Sequence, residues 1–105
     1  MRMRGLTLVV ATADAERFRM ALTLASAHAA LGGRTRVYFH EGAVRLLASR
    51  IALIDTAIES GATLIACQTG LADAGLSVAD LPDGIDTGGM IGLLATLGDD
   101  RLDTV

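Results

Sequence analysis

Short apolar runs alternate with helical patterns along the whole chain, and this alternation constrains the fold more than any other feature. The strand-like runs are Leu6–Ala11, Arg34–Phe39, Thr63–Cys67, Ile85–Thr87 and Arg101–Val105. The helical patterns cover 14–31, 51–60, 69–74 and 90–97, and a short apolar segment covers 43–48. Alternating strands and helices with short connections predict a parallel sheet built from right-handed crossovers. We therefore expect a single-domain, flavodoxin-like α/β fold over residues 1–105, with a mostly parallel five-stranded sheet and helices on both faces. In a flavodoxin-like order the first strand lies between the second and the third.

The composition is unusually apolar for a domain of this size. Hydrophobic residues make up 51% of the 105 residues, and there are 12 glycines besides. The first helical segment is apolar on two faces, with Phe18, Ala21, Leu22, Ala25 and Ala29 on one and Met20, Leu24, Ala27 and Leu31 on the other. A small domain has little interior in which to bury so many apolar side chains. The sequence thus predicts a stable homo-oligomer.

Charge and chain patterning exclude several classes of partner. The net charge is -3 and the nine basic residues, all arginine, are scattered along the chain, so nucleic acid is not an expected partner. No apolar stretch approaches the ~18–20 residues of a membrane span. Arg2 and Arg4 before the apolar run 6–11 resemble the start of a secretion signal, but the run is shorter than the ~7–15 residues a signal needs. A single cysteine favours a reducing compartment, so a cytoplasmic protein is expected.

Cys67 is the first candidate for chemistry. It closes the apolar run 62–67 and precedes the polar, flexible stretch Gln68, Thr69 and Gly70. A cysteine at the carboxyl edge of a sheet, beside the free amides of a helix N-terminus, is favoured as a thiolate. A helix N-terminus alone would lower a pKa of about 8.5 to between about 8 and 7, so a further donor or cation would be needed. The alternative is that Cys67 is a small buried hydrophobe.

Residues after the other strands are further candidates. His40 ends the second strand at the same edge, with a backbone-bonded histidine as the alternative. Gly88 and Gly89 follow the fourth strand, where backbone amides could approach an anionic sulfur, or where a tight turn packs closely. Thr12 and Asp14 follow the first strand, so that loop and Cys67 are expected to flank the topological switch point, although Asp14 is more simply a helix cap.

The remaining polar residues suggest structural roles. His28 is expected to be a packed or interface histidine, and the Asp99–Asp100 pair is expected to be a solvated turn. Two histidines and one cysteine without close spacing form no zinc pattern, so neither a metal nor a cofactor is predicted.

Four segments, in order along the chain, carry a family resemblance. They are Val37–Val44, Leu64–Cys67, Gln68–Leu76 and Gly84–Gly89. Together they resemble the DsrE/DsrF-like (TusD/DsrE-related) family of small sulfur-relay proteins. The resemblance implies a five-stranded α/β fold, homotrimers, homohexamers or mixed hexamers, and a persulfide carried on Cys67. The sequence departs from close relatives after the cysteine, where Gly70, Leu71 and Ala72 replace most of a methionine-rich, acidic stretch.

Three functions remain open at this point. The first is a sulfur carrier or sulfurtransferase subunit, in which Cys67 takes sulfane sulfur from a donor and passes it to an acceptor protein. The second is a nucleotide- or flavin-binding module, which is disfavoured because the first strand leads into Ala11–Asp14 rather than a glycine-rich phosphate loop. The third is a non-catalytic oligomeric assembly protein with a structural cysteine.

Overall fold

The computed structural model describes residues 3–105, so Arg2 of the signal-like segment lies outside the described residues. Five strands alternate with four α-helices. In chain order they are β1 Leu6–Val10, α1 Ala15–Ala30, β2 Thr35–Phe39, α2 Ala52–Glu59, β3 Thr63–Cys67, α3 Gln68–Asp73, β4 Asp86–Gly88, α4 Met90–Ala95 and β5 Arg101–Thr104. Turns of 3₁₀ helix cover Glu41–Ser49 and Val78–Asp80. None of the helices in residues 3–105 has the length and apolar character needed to cross a membrane.

All five strands are parallel and lie in the order β4-β3-β2-β1-β5. The predicted five-stranded α/β fold is confirmed. The expectation that the first strand lies between the second and the third is wrong, because β2 lies between β1 and β3. Each strand from β1 to β4 adds to the same side of its predecessor, and β5 then pairs with the free edge of β1. The carboxyl ends of β2 and β3 are therefore neighbours.

One face of the sheet is covered by α1 and α2, which pack against each other. Along β1 and β2 every residue is buried, and alternate side chains face α1. Phe18 of α1 packs edge-on against Phe39 of β2, with ring centroids 5.7 Å apart. The buried residues of α1 are the five predicted for its first apolar face, whereas Met20, Leu24 and Leu31 of the second remain exposed. The core thus uses only one side of this helix.

The opposite face, called the second face below, carries α4. Because β4 connects to β5 across the sheet in the reverse direction, a right-handed crossover places α4 there. The four residues of β5 are all exposed. Parallel sheets are normally covered on both faces. On the second face Leu102 of β5 is 43% exposed, so one short helix leaves part of this face uncovered.

A buried polar network fastens α4 and β5 to this face. Arg36 donates to the carbonyl of Leu93 at 3.1 Å and to Thr96 Oγ1 at 2.8 Å. Thr7 Oγ1 accepts from Arg36 Nε at 3.0 Å and donates to Asp100 Oδ2 at 2.9 Å. Asp100 Oδ2 also lies 3.7 Å from Arg36 Nε, so its charge compensates that of the guanidinium.

The prediction of a solvated Asp99–Asp100 turn is therefore wrong for Asp100. Its side chain is 2% exposed, whereas Asp99 is exposed. Gly5 leaves room for it, because a Cβ at that position would overlap the Asp100 carboxylate. His28 is a packed histidine as expected, since its ring nitrogens contact Thr35 Oγ1 at 2.7 Å and the Arg4 carbonyl at 3.1 Å.

Replacing Asp100 should therefore destabilise the domain strongly. Asp100→Ala removes the acceptor of Thr7 and leaves the buried Arg36 without its counter-charge, which costs about 3–5 kcal/mol. Asp99→Ala, on the exposed neighbouring side chain, should change the free energy of unfolding by less than about 0.5 kcal/mol. Urea unfolding of both variants measures the difference. Equal losses in the two variants would contradict this role for the network.

Candidate functional site

Cys67 is both the last residue of β3 and the N-cap of α3. Its backbone is extended, and its Sγ accepts a hydrogen bond from the Gly70 amide at 3.3 Å. A serine or aspartate would ordinarily supply this acceptor, because the first amides of a helix have no partner within it. The residue is 6% exposed. The sulfur is thus nearly buried and takes part in the start of the helix.

The neighbouring strand β2 brings further donors to the same sulfur. Tyr38 is paired with Ile65, and Cys67 lies two residues further on the same face of β3. The Tyr38 hydroxyl lies within hydrogen-bonding reach of Sγ, and the Glu41 amide approaches it from the segment after β2. We call the Tyr38 hydroxyl and the amides of Glu41, Thr69 and Gly70 the sulfur cup.

The sulfur cup favours the thiolate. Burial alone would raise the pKa of the Cys67 thiol, since it disfavours the charged form. The Tyr38 hydroxyl and the amides of Gly70, Glu41 and Thr69 more than offset burial, so the pKa lies below its ordinary value. This group of donors supplies what the helix N-terminus could not supply alone. A structural buried thiol in apolar surroundings shows the opposite shift.

The shape of the cup depends on a close approach between Gly70 and Glu41. Glu41 has a φ of 44°, in the left-handed region that costs a non-glycine residue about 1–2 kcal/mol. A Cβ on Gly70 would overlap the Glu41 carbonyl oxygen and lie 2.8 Å from its carbonyl carbon and Cα. Only glycine at position 70 therefore lets α3 begin against this turn. The glycine brings the two backbone segments together at the sulfur.

His40 directly follows β2 and lies beside Cys67 at the edge of the sheet. The register pairs Phe39 with Ala66, and His40 and Cys67 are the next residue of each chain segment. The main-chain amide of His40 donates to Val10 O at 3.0 Å, but its imidazole makes no hydrogen bond to backbone among residues 3–105, so the backbone-bonded alternative is not borne out. Its Nε2 lies 3.7 Å from a Glu41 carboxylate oxygen, and its buried Nδ1 has no hydrogen-bond partner among residues 3–105. The imidazole thus has one free polar atom at this edge.

Gly88 and Gly89 lie on the other side of Cys67. Gly88 is the β4 partner of Cys67, and a Cβ there would lie 3.1 Å from Ile65 Cγ2. Gly89 is the N-cap of α4, with open space around its Cα. A cavity of about 250 Å³ opens beside both glycines on the second face, lined also by Ile65 and Leu93. The amides that favour the thiolate reach Cys67 from the side of β2 and α3. Gly88 and Gly89 lie on the other side of Cys67 and border the cavity.

Thr12 and Asp14 lie away from this site. The order of strand addition reverses between β4 and β5, so the topological switch point lies between β1 and β5. The loop after β1 borders it, but Cys67 on β3 does not, and the prediction that both flank it is wrong for Cys67. Asp14 accepts from the Arg17 amide at 2.9 Å and caps α1. A carboxylate thus already occupies the start of that helix.

Tyr38 and Glu41 are the site residues that the sequence did not reveal. Tyr38 is the only tyrosine in the chain and lies two residues before His40. With β2 correctly placed beside β3, its position on the same face as Cys67 follows from the two-residue period of a strand. The sequence therefore contains enough information to assign Tyr38 to the site, but only with the correct strand order. The left-handed turn at Glu41 has no such signal.

The structure defines a small, wholly parallel α/β protein with a strand-end cysteine among hydrogen-bond donors. No family profile and no curated protein matches its sequence. Solved structures with this fold include the ychN protein from E. coli, with a TM-score of 0.76 and 19% identity over 98% of this chain and 100% of that one.

Two further structures are described as proteins of unknown function. MTH1491 from Methanobacterium thermoautotrophicum has a TM-score of 0.80 and 16% identity, covering 98% of this chain and 100% of its own. BT1422 from Bacteroides thetaiotaomicron has a TM-score of 0.78 and 22% identity, covering 96% and 94%. At these identities the likeness establishes the fold alone.

The sulfur cup predicts opposite effects for two Gly→Ala substitutions. Gly70→Ala gains about 0.5–1 kcal/mol of helix preference but forces an overlap with Glu41 that costs about 1–3 kcal/mol. It should therefore destabilise the domain and, by displacing donors, raise the Cys67 pKa. Gly92→Ala in α4, whose Cβ meets no atom within 4 Å, should be neutral or stabilising.

Urea unfolding measures stability, and iodoacetamide alkylation across pH, followed by intact mass, measures the pKa. Because the thiolate forms as pH rises through the pKa, the alkylation midpoint of Gly70→Ala should move to higher pH. Gly92→Ala should keep the wild-type midpoint. A Gly70→Ala protein with unchanged stability and midpoint would refute the close-approach argument.

Proposed function

We propose that this protein is a cytoplasmic sulfur carrier, or a sulfurtransferase subunit, that holds sulfane sulfur as a persulfide on Cys67. The observation that carries the proposal is the sulfur cup, which lowers the pKa of a nearly buried cysteine through one hydroxyl and three amides. A low-pKa thiolate is the form that attacks sulfur. The resemblance of segments 37–44, 64–76 and 84–89 to DsrE/DsrF-like proteins supports the same function, and the single free cysteine suits a reducing compartment.

Loading is a displacement at sulfur. The Cys67 thiolate attacks a sulfane sulfur of a polysulfide. One S–S bond forms between Cys67 and that sulfur, and the S–S bond between that sulfur and the rest of the polysulfide breaks. With tetrasulfide the products are the Cys67 persulfide anion and trisulfide, so total charge and oxidation state are conserved. The cavity beside Gly88 and Gly89 offers space for a small donor near β3.

Unloading needs a second thiol, because Cys67 is the only cysteine in the chain. An acceptor thiolate attacks the outer sulfur, forms a new S–S bond, and releases Cys67 as the thiolate. Before this attack the outer sulfur of the persulfide anion takes a proton from solvent, and the acceptor leaves as a persulfide that carries this proton. His40, whose buried Nδ1 lacks a partner within the described range 3–105, lies next to Cys67 at this edge and supports a polar path for the outer sulfur.

The main alternative is an assembly protein with a structural cysteine, and the burial of Cys67 favours it. Two observations oppose a purely structural role. A helix cap accounts for the Thr69 and Gly70 amides at the sulfur, but it needs neither the Tyr38 hydroxyl nor the Glu41 amide, and a left-handed Glu41 is a cost that packing alone does not require. A native-state reaction at the sulfur separates the two functions.

Wild-type protein incubated with sodium tetrasulfide and freed of excess reagent should gain the mass of one or more sulfur atoms. Dithiothreitol should remove the added mass by releasing sulfide and forming its own cyclic disulfide. Cys67→Ser should gain no mass under the same conditions. Intact mass spectrometry measures all three. Wild-type protein that reacts only after unfolding in urea would show that Cys67 is a core residue and would defeat the proposal.

We further propose that the protein is a homo-oligomer, a trimer or a hexamer, formed through the second face. Ile91 and Leu94 of α4 are 88% and 48% exposed, and Leu102 of β5 is 43% exposed on the same face. A parallel sheet with both faces covered would bury such side chains. The exposed Met20 and Leu31 of α1 offer a second contact surface, as a closed assembly larger than a trimer requires.

Sedimentation equilibrium of wild-type protein should give the mass of three chains or a multiple of three at micromolar concentration. Ile91→Glu places a charge in the proposed interface and should shift the equilibrium toward monomer. Val78→Glu, at an exposed apolar residue in the turn before β4, should leave the assembly unchanged. A monomeric wild-type protein would contradict the proposal.

A further inference from the structure

Tyr38 is a buried tyrosine beside the sulfur of Cys67. The residue is 1% exposed, its ring centroid lies 6.4 Å from that of His40 at the carboxyl edge of the sheet, and Cys67 is the side chain within hydrogen-bonding reach of its hydroxyl. A buried tyrosine hydroxyl is normally bonded, because leaving it without a partner costs free energy. We therefore take the sulfur of Cys67 as the hydrogen-bond acceptor of this hydroxyl.

The strand geometry explains how the hydroxyl reaches the sulfur. Tyr38 pairs with Ile65, and Cys67 lies two residues, about 6.6 Å, further along β3 on the same face. Side chains in strands lean along the strand direction, and a tyrosine is long enough to span this offset. On the other side of β2, Val9 of β1 is the register partner of Tyr38. A phenylalanine would fill the same space without the donor.

We infer that Tyr38 is the positioning residue that holds the Cys67 sulfur in its charged form and that, where the thiolate is fully formed, it promotes release of sulfur to the acceptor more than uptake from the donor. The part of this inference that concerns release rests on the proposed sulfur-carrier function. The part that concerns the thiolate does not, since it is a property of the resting protein.

The preference for release follows from the two roles of the sulfur. In loading, the Cys67 thiolate is the attacking group, and a stabilised thiolate attacks more slowly, with rate changing as the 0.4–0.5 power of its basicity. In unloading, the acceptor–sulfur bond forms while the bond between the outer sulfur and Cys67 Sγ breaks. Cys67 is then the leaving group, and a stabilised thiolate leaves faster. Where the thiolate is fully formed, the hydroxyl therefore helps unloading and slows loading. Below the midpoint the larger thiolate fraction outweighs the lower reactivity of each thiolate, and the hydroxyl helps loading as well.

Tyr38 can act as a donor throughout the physiological range. Burial, the hydrogen bond to Cys67 and the nearby negative charges raise the pKa of Tyr38 above its ordinary value. The other titratable groups at this edge are His40 and Glu41, whereas Asp73 of α3 and Asp86 of β4 are exposed.

The first experiment measures iodoacetamide alkylation of wild type and Tyr38→Phe across pH, without a sulfur donor. We expect the midpoint of the variant to rise by about one pH unit. Below both midpoints its thiolate fraction falls about tenfold while each thiolate becomes about threefold more reactive, so its rate falls about threefold. Above both midpoints the variant should react about threefold faster than wild type. Structural damage would not produce this crossing of the two profiles.

Val9→Ala is the matched control, because it loosens packing beside Tyr38 and keeps the hydroxyl. Its midpoint should equal that of wild type. A Tyr38→Phe profile that coincides with the wild type, or that differs from it by one constant factor at every pH, would overturn the inference.

A second measurement uses wild-type protein and does not depend on the folding of the variant. The chain has one tyrosine and no tryptophan, so its intrinsic fluorescence reports on Tyr38 alone. The fluorescence should change with the same midpoint as the thiolate absorbance at the ultraviolet edge. In Cys67→Ser this transition should be absent. A signal that does not follow the thiolate would overturn the inference.

The final arm tests the direction of sulfur transfer. Protein loaded with tetrasulfide and freed of excess reagent is mixed with glutathione at pH 7, and loss of the added sulfur is followed by mass. Tyr38→Phe should discharge about threefold more slowly if the leaving sulfur has a sensitivity similar to that of the attacking one. Equal discharge rates would overturn the inference on release. If wild-type protein takes up no sulfur but the alkylation profiles of wild type and Tyr38→Phe still cross, the sulfur-carrier function is defeated. The role of Tyr38 in stabilising the thiolate then remains.

Discussion

The pairing of β2 with β3 is the interaction on which the site depends. It places Tyr38 two residues behind Cys67 on one face and carries the chain at Glu41 to the start of α3. Had β1 separated the two strands, only the amides of α3 would reach the sulfur. Those amides alone shift a pKa by little more than one unit at best. The site is therefore a property of neighbouring strands more than of a cysteine at a helix start.

Close backbone packing then sets the shape of the site. Gly70 lets α3 meet the left-handed turn at Glu41, and the turn in turn directs its amide toward the sulfur. On the remaining side of the sheet, the bonds among Thr7, Arg36 and Asp100 hold α4 and β5 in place. Both arrangements bring polar groups together in a small interior. In each, a glycine provides the space that makes this possible.

Much of the fold could be predicted from the sequence, because strand and helix periodicities are local. All five strands were located to within one or two residues, and Asp14 was recognised as a cap by the residue type alone. Strand order was not predictable in this way, since alternating βα units fit several orders equally well. The burial of Asp100 also escaped prediction, because it depends on Thr7 and Arg36, which are distant in sequence. Cys67 could be predicted as the last residue of a strand. Its hydrogen-bond donors could be predicted only from the correct strand order.

Cys67 is also a structural residue of α3, because the Gly70 amide bonds to its sulfur. A hydrogen bond to a charged acceptor is stronger than one to a neutral acceptor. The first turn of α3 is therefore held more firmly when the sulfur is a thiolate than when it is a thiol. Because the Cys67 pKa is lower in the folded protein, this added stability is fully present above the unfolded pKa of about 8.5 and is lost as pH falls through the folded value. The exposed residues Gln68 and Thr69 form the outer surface of that turn. The protonation state of the nearly buried Cys67 sulfur thus changes the stability of one helical turn at the molecular surface.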